Sequence, residues 1–435
     1  MKNPTCLALL AVLAAASCAQ GEGGPPQVRV GLARHRASVA VGAPGPFVLS
    51  AGGPEARGQG QTWTVYTSSS APAGVCCDRP PREGEVCVVS ADGVGTWYPL
   101  PVRVRSGEGG NAGLLAGPQE NALRRYEGEI EVARDAAGML SLVNVVDLEA
   151  YARGVVCAEM EPNYPPAALE AQAVAARSVA LASQGRHRAD GFDLCAEGHC
   201  QAYRGITDQT PAGNAAVAAT RGEILTYNGR PASAVYHAIC GGHTENAIDA
   251  WGGADVPYLR GVPDADGPAA RAGDYRNQDD RLRAYLTGFP AVNCRQPEYA
   301  NLARFRWVRA LTRQQVEKSL ADMIDVGEVV DLRPLARGVS GRITRLEVVG
   351  TRATSTLSPE LVIRQGLGGL PSSAFVVDRY CDDAGKAVVF VLWGAGWGHG
   401  VGMCQAGAAG MAAAGRDHRE ILAKYYPGTS IETLY

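Results

Sequence analysis

The pattern of hydrophobic and polar positions changes along the chain. From residue 28 to about residue 145, short runs rich in β-branched and aromatic residues are separated by Gly, Pro and Asp, a pattern typical of strands and turns. We therefore predict a β-rich N-terminal part over residues 28–136. The runs are QVRVGLA, FVLSA, TWTVYT, EVCVVSA, WYPLPVRVR, EGEIEVARD and MLSLVNVV.

Helical spacing follows this β-rich part. The segment LEAYARGVV predicts a short helix, and a second helix is predicted where AALEAQAVAARSVALASQ follows Pro165 and Pro166. In that segment Leu169, Ala173, Ala176 and Ala180 recur at intervals of three and four residues. Proline suits the first turn of a helix because its φ angle is already helical. The pattern predicts an amphipathic helix whose small side chains allow close packing.

The rest of the chain alternates between the two patterns. Helices are predicted at about 212–220, 312–324 and 420–425, and a Gly-, Asp- and Pro-rich passage spans 252–273. Strands are predicted at EILTYN, ASAVYHAI, RITRLEVVG, AFVVDRY and AVVFVLW. The fold class is therefore α+β.

Length, composition and charge limit the function. At roughly 150 residues per domain, 435 residues predict two or three packed units. With 46% hydrophobic and 20% charged residues the chain is typical of globular proteins. A net charge of -3 provides no basic excess for phosphate contacts. We therefore expect no nucleic-acid partner.

The N-terminus has the layout of a bacterial secretory signal. Lys2 precedes an apolar run at residues 7–16 and small residues around Cys18, which predicts a signal peptide over residues 1–19. The run is too short to span a membrane. Cleavage before Cys18 would leave a lipid-anchored lipoprotein, and cleavage after Ala19 a protein without this anchor. In both cases residues 20–27 form a flexible tether, and the protein is exported to the cell envelope or periplasm.

Export also bears on the cysteines, because disulfides persist outside the cytoplasm. Disulfides are thus the first expectation for the ten cysteines beyond the leader, although their pairing does not follow from the sequence. The cluster CAEGHC also offers zinc ligands in Cys195, His199 and Cys200, with disulfide bonding as the alternative. The ten are Cys76, Cys77, Cys87, Cys157, Cys195, Cys200, Cys240, Cys294, Cys381 and Cys404.

A candidate acid lies where the first predicted helix ends. Glu159 is next to the apolar Met160 and near a proline turn. Partly dry surroundings raise the pKa of a carboxyl group, which suits a general acid at neutral pH. Glu161 would face elsewhere on a helix, so a catalytic pair is not assumed, and the alternative is that both are surface acids.

Two further segments combine glycine with chemistry-bearing side chains. HAICGGHTENA contains Cys240 and His243, which fit either a thiol nucleophile or, more commonly, a structural cysteine beside a turn. GAGWGHGVGMCQ has glycine at alternate positions, so its backbone can approach a ligand or another strand closely. His399 within it is either an active-site hydrogen-bonding group or a structural loop histidine. Neither GxSxG nor HExxH occurs.

Four motifs in order resemble the stage II sporulation protein D (SpoIID) family of cell-wall enzymes. They are LEAYARGVVCAEMEPNYPPAALEAQAVAARSVAL, CAEGHCQAYRG, YHAICGGHTENAIDAWGG with PYLRGV, and GWGHGVGMCQAGAAGMAAAG with ILAKYYPGTSI. The resemblance covers residues 137–435. It implies that these residues form a mixed α+β catalytic domain of two lobes, with a substrate groove between the lobes.

The resemblance implies a lytic transglycosylase. Such an enzyme cleaves MurNAc–GlcNAc bonds of glycan strands already stripped of stem peptides and leaves 1,6-anhydro-MurNAc ends. Glu159 matches the general acid/base, and an N-acetylmuramoyl-L-alanine amidase is the implied partner. No cofactor is required, although some members bind zinc near Cys195, His199 and Cys200, with Cys240 a candidate neighbour. The matching substrate-binding candidates are Gln172, Arg177, Tyr203, His243, Trp397, His399 and Gln405.

Two other functions fit some of the same residues. A non-catalytic glycan-binding module that activates an amidase would keep the groove and tolerate the loss of Glu159. A zinc or thiol hydrolase of wall peptides would act through the CAEGHC cluster or through Cys240 and His243. Departures from the family pattern are the cysteines, including Cys157 and Cys404 and those of an insertion at 76–87.

Overall fold

The structure, a computed structural model, describes residues 24–53, 55–75, 79–109, 113–266, 274–276 and 279–435. The predicted signal peptide at 1–19 with Cys18, and residues 20–23 of the predicted tether, lie outside the described residues, as do Cys76 and Cys77. The chain separates into two compact units. The first unit contains residues 24–233 and Ser430–Leu434, and the second unit contains Ala234–Thr429.

The first unit contains most of the strands predicted from alternation. Its helices are α1 (Leu148–Glu159), α2 (Pro166–Ala182) and α3 (Pro211–Ala219). Its strands up to residue 231 are β1 (Gln27–Arg36), β2 (Ser38–Ser50), β3 (Ala56–Thr67), β4 (Glu85–Val89), β5 (Gly95–Pro99), β6 (Val102–Ser106), β7 (Leu114–Gly117), β8 (Arg124–Tyr126), β9 (Glu129–Arg134), β10 (Leu140–Asp147), β11 (Leu194–Cys195), β12 (Glu223–Tyr227) and β13 (Arg230–Pro231).

An eleven-stranded sheet organises this unit. Its order is β11-β1-β10-β9-β6-β2-β3-β4-β5, with β7 pairing β2 and β8. β1 is antiparallel to β10 and parallel to β11, which places Cys195 opposite Gly31. Buried valines and leucines alternate along the strands, as half-buried strands require.

The helices follow directly from β10. The side chain of Asp147 accepts hydrogen bonds from the backbone N–H groups of Glu149 and Ala150, both at 2.9 Å, and so caps α1. Pro166 begins α2 as predicted. Most of α2 is buried against α1, α3 and β12, which its many alanines permit because they allow helices to approach closely.

The second unit mixes short helices with small sheets. Its helices are α4 (Ala247–Trp251), α5 (Asp279–Thr287), α6 (Leu302–Phe305), α7 (Arg313–Leu320), α8 (Glu360–Gly366), α9 (Gln405–Ala413) and α10 (His418–Tyr425). Its strands are β14 (Tyr236–His237), β15 (Arg306–Thr312), β16 (Val329–Arg337), β17 (Ile343–Gly350), β18 (Thr354–Leu357), β19 (Phe375–Cys381), β20 (Ala387–Ala395) and β21 (Met403–Cys404). The last strand, β22 (Ser430–Thr433), belongs to the first unit, in the sheet β13-β12-β22.

The described residues of the second unit form three sheets, in the orders β14-β21, β15-β20-β19 and β16-β17-β18. The strand predicted at ASAVYHAI shortens to two residues, because β14 pairs in parallel with an equally short β21. The glycine-dense end contains a helix, α9, that the sequence pattern did not predict. The α+β fold class and the β-rich N-terminal part are confirmed. Among the described helices, none has both the length and the hydrophobicity of a membrane span.

Candidate functional site

Glu159 is the last residue of α1 and is half-buried. Its Oε1 atom accepts a hydrogen bond of 2.7 Å from the backbone N–H of Ala202. The neighbouring Gln201 is anchored through Nε2, which donates to the Tyr151 hydroxyl at 3.1 Å and to the Ala176 carbonyl at 3.3 Å. The segment after CAEGHC is therefore tied to both long helices, and it fixes the position of one carboxyl oxygen of Glu159.

Tyr203, the next residue of this segment, is a packing residue. Its side chain is 2% exposed, and its hydroxyl donates to Asn144 Oδ1 at 2.6 Å. The rings of Tyr126 and Tyr151 lie 5.8 and 5.1 Å from its ring. Burial raises the pKa of Tyr203 well above its ordinary value. In this conformation the Tyr203 ring packs against Tyr151 of α1, and its side chain presents no surface to a ligand.

Arg177 belongs to a buried ion pair. Its Nη2 atom donates to Glu149 Oε2 at 2.6 Å and to the Val217 carbonyl at 2.7 Å, and Nη1 donates to Thr220 Oγ1 at 3.1 Å. Both charged side chains are almost wholly buried, with exposures of 0% and 4%. These bonds hold α1, α2 and α3 together, so the guanidinium faces the interior. Gln172, one turn earlier on α2, is equally buried.

A cluster of metal-ligand types surrounds the CAEGHC turn. His187, Cys195, His199 and Cys200 place one ligand atom each within 4.8 Å of the others, and we call these four residues the first cluster. The Cys200 Sγ atom is 3.5 Å from His187 Nε2 and 3.6 Å from His199 Nδ1. Cys195 and Cys200 are free thiols here, so neither takes part in the disulfide bonding that was the alternative to a metal site.

The two thiols of the first cluster interact, and a carboxylate lies beside one of its histidines. A hydrogen bond from the Cys200 thiol lowers the pKa of Cys195 to about 4, and the same hydrogen bond raises the pKa of Cys200. His187 Nδ1 lies 3.2 Å from Asp190 Oδ2, and such a carboxylate orients the opposite ring nitrogen toward a metal. His187 was not among the ligands predicted from the sequence. The sequence feature that could have indicated it is a histidine eight residues before Cys195 of the CAEGHC segment.

The other described cysteines differ in whether they form a disulfide bond. Cys87 is disulfide-bonded, whereas Cys157, Cys240, Cys294, Cys381 and Cys404 are free thiols. Cys240, considered above as a neighbour of the CAEGHC turn, instead has its Sγ atom 3.5 Å from that of Cys294 in the second unit. The expectation of general disulfide bonding therefore fails for seven of the described cysteines.

The glycine-dense motif of the second unit forms a tight loop. Gly396, Gly398, Gly400 and Gly402 all have positive φ angles, which favour glycine. A Cβ atom on Gly400 would lie 2.4 Å from the guanidinium carbon of Arg342. The alternating glycines thus allow close approach of the backbone to neighbouring groups, as predicted.

Both ring nitrogens of His399 are hydrogen-bonded to backbone groups. Nε2 is 2.9 Å from the Tyr236 carbonyl, and Nδ1 accepts from the Val401 N–H at 3.0 Å. Desolvation and the nearby His237 lower the pKa of His399 well below its ordinary value, so the ring is neutral. The backbone uses both nitrogens, which favours the structural interpretation of this histidine.

Trp397 is the exposed aromatic of the same loop. Its side chain is 39% exposed, and the guanidinium of Arg304 lies 4.5 Å from the ring centroid. His243 and Gln405 are buried at 3% and 6% exposure, and His243 Nδ1 is 2.6 Å from the Thr244 carbonyl. Among the predicted substrate-binding residues of this unit, Trp397 therefore presents the largest open surface.

Glu245 is expected to make the stability of the second unit depend on pH. It is wholly buried, its Oε2 accepts from Ser340 Oγ at 2.6 Å, and burial raises its pKa to about 7 from the ordinary 4.5. The folded state thus binds the proton more tightly than the unfolded state. The contribution to stability is complete below pH 4.5 and is lost as the pH rises through about 7.

We expect the free energy of unfolding to fall by roughly 3 kcal/mol over that pH range because of this group. Urea denaturation at a series of pH values measures the fall. Glu245→Gln should remove it, whereas Glu298→Gln, at an exposed position of the same unit, should leave it unchanged. Parallel pH profiles for wild type and Glu245→Gln would contradict the assignment.

Comparison with known proteins places the chain among bacterial relatives. Residues 136–227 match the family described as SpoIID, Stage II sporulation protein, and residues 245–402 match a domain of unknown function, DUF8618. An uncharacterized protein of Brachyspira hyodysenteriae is 32% identical over 297 residues, which cover 67% of this chain and 68% of that protein.

Two proteins of Bacillus subtilis are also similar. Stage II sporulation protein D is 28% identical over 308 residues, covering 66% of this chain and 75% of that protein. The amidase enhancer is 28% identical over 290 residues, covering 64% of this chain but 40% of the enhancer. The match to residues 136–227 includes Glu159 and the first cluster.

Proposed function

Since this chain belongs to the stage II sporulation protein D family, we propose that it is a lytic transglycosylase of the bacterial cell wall. Its substrate is the MurNAc–GlcNAc bond of glycan strands without stem peptides. The proposal rests on the position of Glu159. Its half-buried carboxyl group lies at the end of α1, and one of its oxygens is fixed by the Ala202 N–H. Export to the cell envelope is part of the proposal, because the substrate lies outside the cytoplasmic membrane.

One carboxyl group suffices for this reaction. Ordinary glycosidases use two, because the second acts as nucleophile or activates water. Here Glu159 donates its proton to the glycosidic oxygen as the bond from that oxygen to the anomeric carbon breaks. The 6-hydroxyl of the same MurNAc attacks the anomeric carbon, and the Glu159 carboxylate takes its proton. Because this nucleophile is tethered to the reacting sugar, the entropy cost of positioning it is small.

Trp397 is the residue best suited to contact a sugar among those that the resemblance implies. Its open ring can pack against the apolar face of a pyranose, and the Arg304 guanidinium lies over the ring. The other side chains of that set are less exposed than Trp397.

Mass spectrometry of peptide-free glycan strands, after incubation with the purified protein, tests the reaction. The expected products end in 1,6-anhydro-MurNAc. Reducing ends would instead show hydrolysis by an activated water and would overturn the proposal.

A second candidate function is favoured by the similarity to the amidase enhancer. In that case the chain binds glycan strands without cleaving them and accelerates an N-acetylmuramoyl-L-alanine amidase. Intact strands in the product assay, together with faster release of stem peptides by an added amidase, would support this function.

We also propose that the first cluster binds zinc. Two thiols and two imidazoles form a common zinc ligand set, and four protein ligands leave no open position for catalysis. The ion would stabilise the turn that carries Gln201 and Ala202. Cys200→Ser is expected to lower the zinc content of the purified protein by one equivalent, measured by plasma mass spectrometry. Cys381→Ser, at an exposed free thiol, serves as the control, and an unchanged zinc content in Cys200→Ser would contradict the proposal.

A further inference from the structure

Three buried cysteines and one aspartate meet inside the second unit. Cys240, Asp264, Cys294 and Cys404 place one ligand atom each within 4.8 Å of the others, and we call them the buried cluster. Their exposures are 2%, 0%, 0% and 0%. They come from four segments: the turn after β14, a loop, the 3-10 turn Asn293–Arg295, and the end of β21. The cluster thus joins distant parts of the chain at one point.

The spacing of the sulfurs fits a shared metal ion. Cys240 Sγ and Cys294 Sγ are 3.5 Å apart. Two thiolates on one tetrahedral zinc, each bonded at about 2.3 Å, lie about 3.8 Å from each other. A disulfide would need a separation of about 2 Å. The separation of the two sulfurs is therefore close to that of zinc ligands and far from that of a disulfide.

Backbone N–H groups point at the sulfurs. Cys404 Sγ accepts from the N–H groups of Cys240 at 3.1 Å and Gly407 at 3.3 Å, and Cys240 Sγ accepts from Gly242 at 3.2 Å. Cys404 is also the N-cap of α9, whose N-terminal end favours negative charge. Hydrogen bonds of this kind stabilise and orient thiolate ligands.

The aspartate is oriented in the same way. Asp264 Oδ1 accepts from the Tyr425 hydroxyl at 2.5 Å, and Oδ2 accepts from the Cys294 N–H at 2.8 Å. A Cβ atom on Gly407 would lie 2.1 Å from that hydroxyl and 2.5 Å from Oδ1. Glycine at this position is what lets α9 approach the carboxylate.

Positive charge surrounds the turn that carries Cys240. The buried guanidinium of Arg342 donates to the Cys240 carbonyl at 3.2 Å, and Arg306 Nη1 donates to the Gly241 carbonyl at 2.9 Å. Three thiolates and a carboxylate around a divalent ion leave two negative charges. Buried charges need counter-charges, and these two guanidinium groups lie beside the backbone of the turn that carries Cys240.

We propose that the buried cluster binds one zinc ion through three thiolates and one carboxylate oxygen. Four protein ligands make it a structural site, which fastens four segments of the second unit. The site is independent of the first cluster and of glycan cleavage.

Metal analysis of the full chain, purified without chelator, tests the site. The first cluster is disabled by Cys195→Ser with Cys200→Ser, and the remaining protein is expected to contain one zinc equivalent. Adding Cys294→Ser should lower the content to zero, whereas adding Cys381→Ser should leave it at one. Replacement of zinc by cobalt should give thiolate-to-metal charge-transfer bands, which the Cys294→Ser protein should lack.

Two results would overturn the proposal. One is a chain without zinc in which peptide mapping shows Cys240 and Cys294 joined in a disulfide. The other is a zinc content of zero in the protein with only the first cluster disabled. If Cys294→Ser does not fold, Asp264→Asn replaces it, and zinc loss to a chelator should then be at least ~10-fold faster. An unchanged rate would also count against the site.

Discussion

Replacing Glu159 by glutamine is expected to lower the rate of glycan-strand cleavage by at least ~100-fold, the usual contribution of a general acid or base. The amide has the same shape and keeps an acceptor oxygen for the Ala202 N–H, so the fold should be retained. It cannot deliver a proton to the glycosidic oxygen or take one from the 6-hydroxyl. Rates are measured from 1,6-anhydro products by mass spectrometry, and folding from circular dichroism during thermal unfolding.

Glu161→Gln is the matched control, because Glu161 is two residues away and exposed. It should cleave like wild type, which would show that the loss in Glu159→Gln is specific to one carboxyl group. A Glu159→Gln protein that folds and cleaves at the wild-type rate would remove Glu159 from the mechanism. If wild type and variant are both inactive yet both accelerate an amidase, the second candidate function stands instead.

Local patterns predicted the elements of the first unit because the relevant interactions are local. Strand alternation, turn residues and a proline at the start of α2 act over a few positions, and β1 to β6, β9, β10 and both long helices follow them. The short strands β7 and β8 lie outside the predicted runs. The position of Glu159 at the end of a helix was predicted for the same reason. The Ala202 N–H that holds its carboxylate, 43 residues later, was not.

The spacing of cysteines and histidines along the sequence does not determine which of them meet in the two clusters. Cys240 and Cys404 are 164 residues apart, and nothing in either local pattern indicates that they meet. His187 joins the CAEGHC turn through a loop that brings it back beside β11. Such contacts depend on the packing of whole elements, so the ligand sets emerge with the fold. Likewise, α9 forms in a segment whose glycines lower helix propensity, because close packing around its glycines compensates.

The contacts of Arg177 in α2 were also not predictable from the local sequence. The sequence places a lone arginine in an alanine-rich segment, and the resemblance implies that it binds substrate. The structure instead pairs it with Glu149, 28 residues earlier, away from solvent. Replacing Arg177 by methionine is therefore expected to lower the free energy of unfolding by about 3–5 kcal/mol, because it leaves the Glu149 carboxylate buried without its counter-charge. Urea denaturation measures this change.

Matched variants separate the buried pair from a surface one and from a role in binding. Arg204→Ala breaks an exposed pair with Asp208 in the same unit and should cost less than about 1 kcal/mol. Adding Glu149→Leu to Arg177→Met should restore much of the lost stability, because an apolar pair needs no charge compensation. If Arg177→Met instead keeps its stability and binds glycan strands more weakly, the guanidinium contacts substrate as the resemblance implies. The two roles thus predict opposite outcomes for one substitution, since a buried counter-ion acts on unfolding and a ligand contact acts on binding.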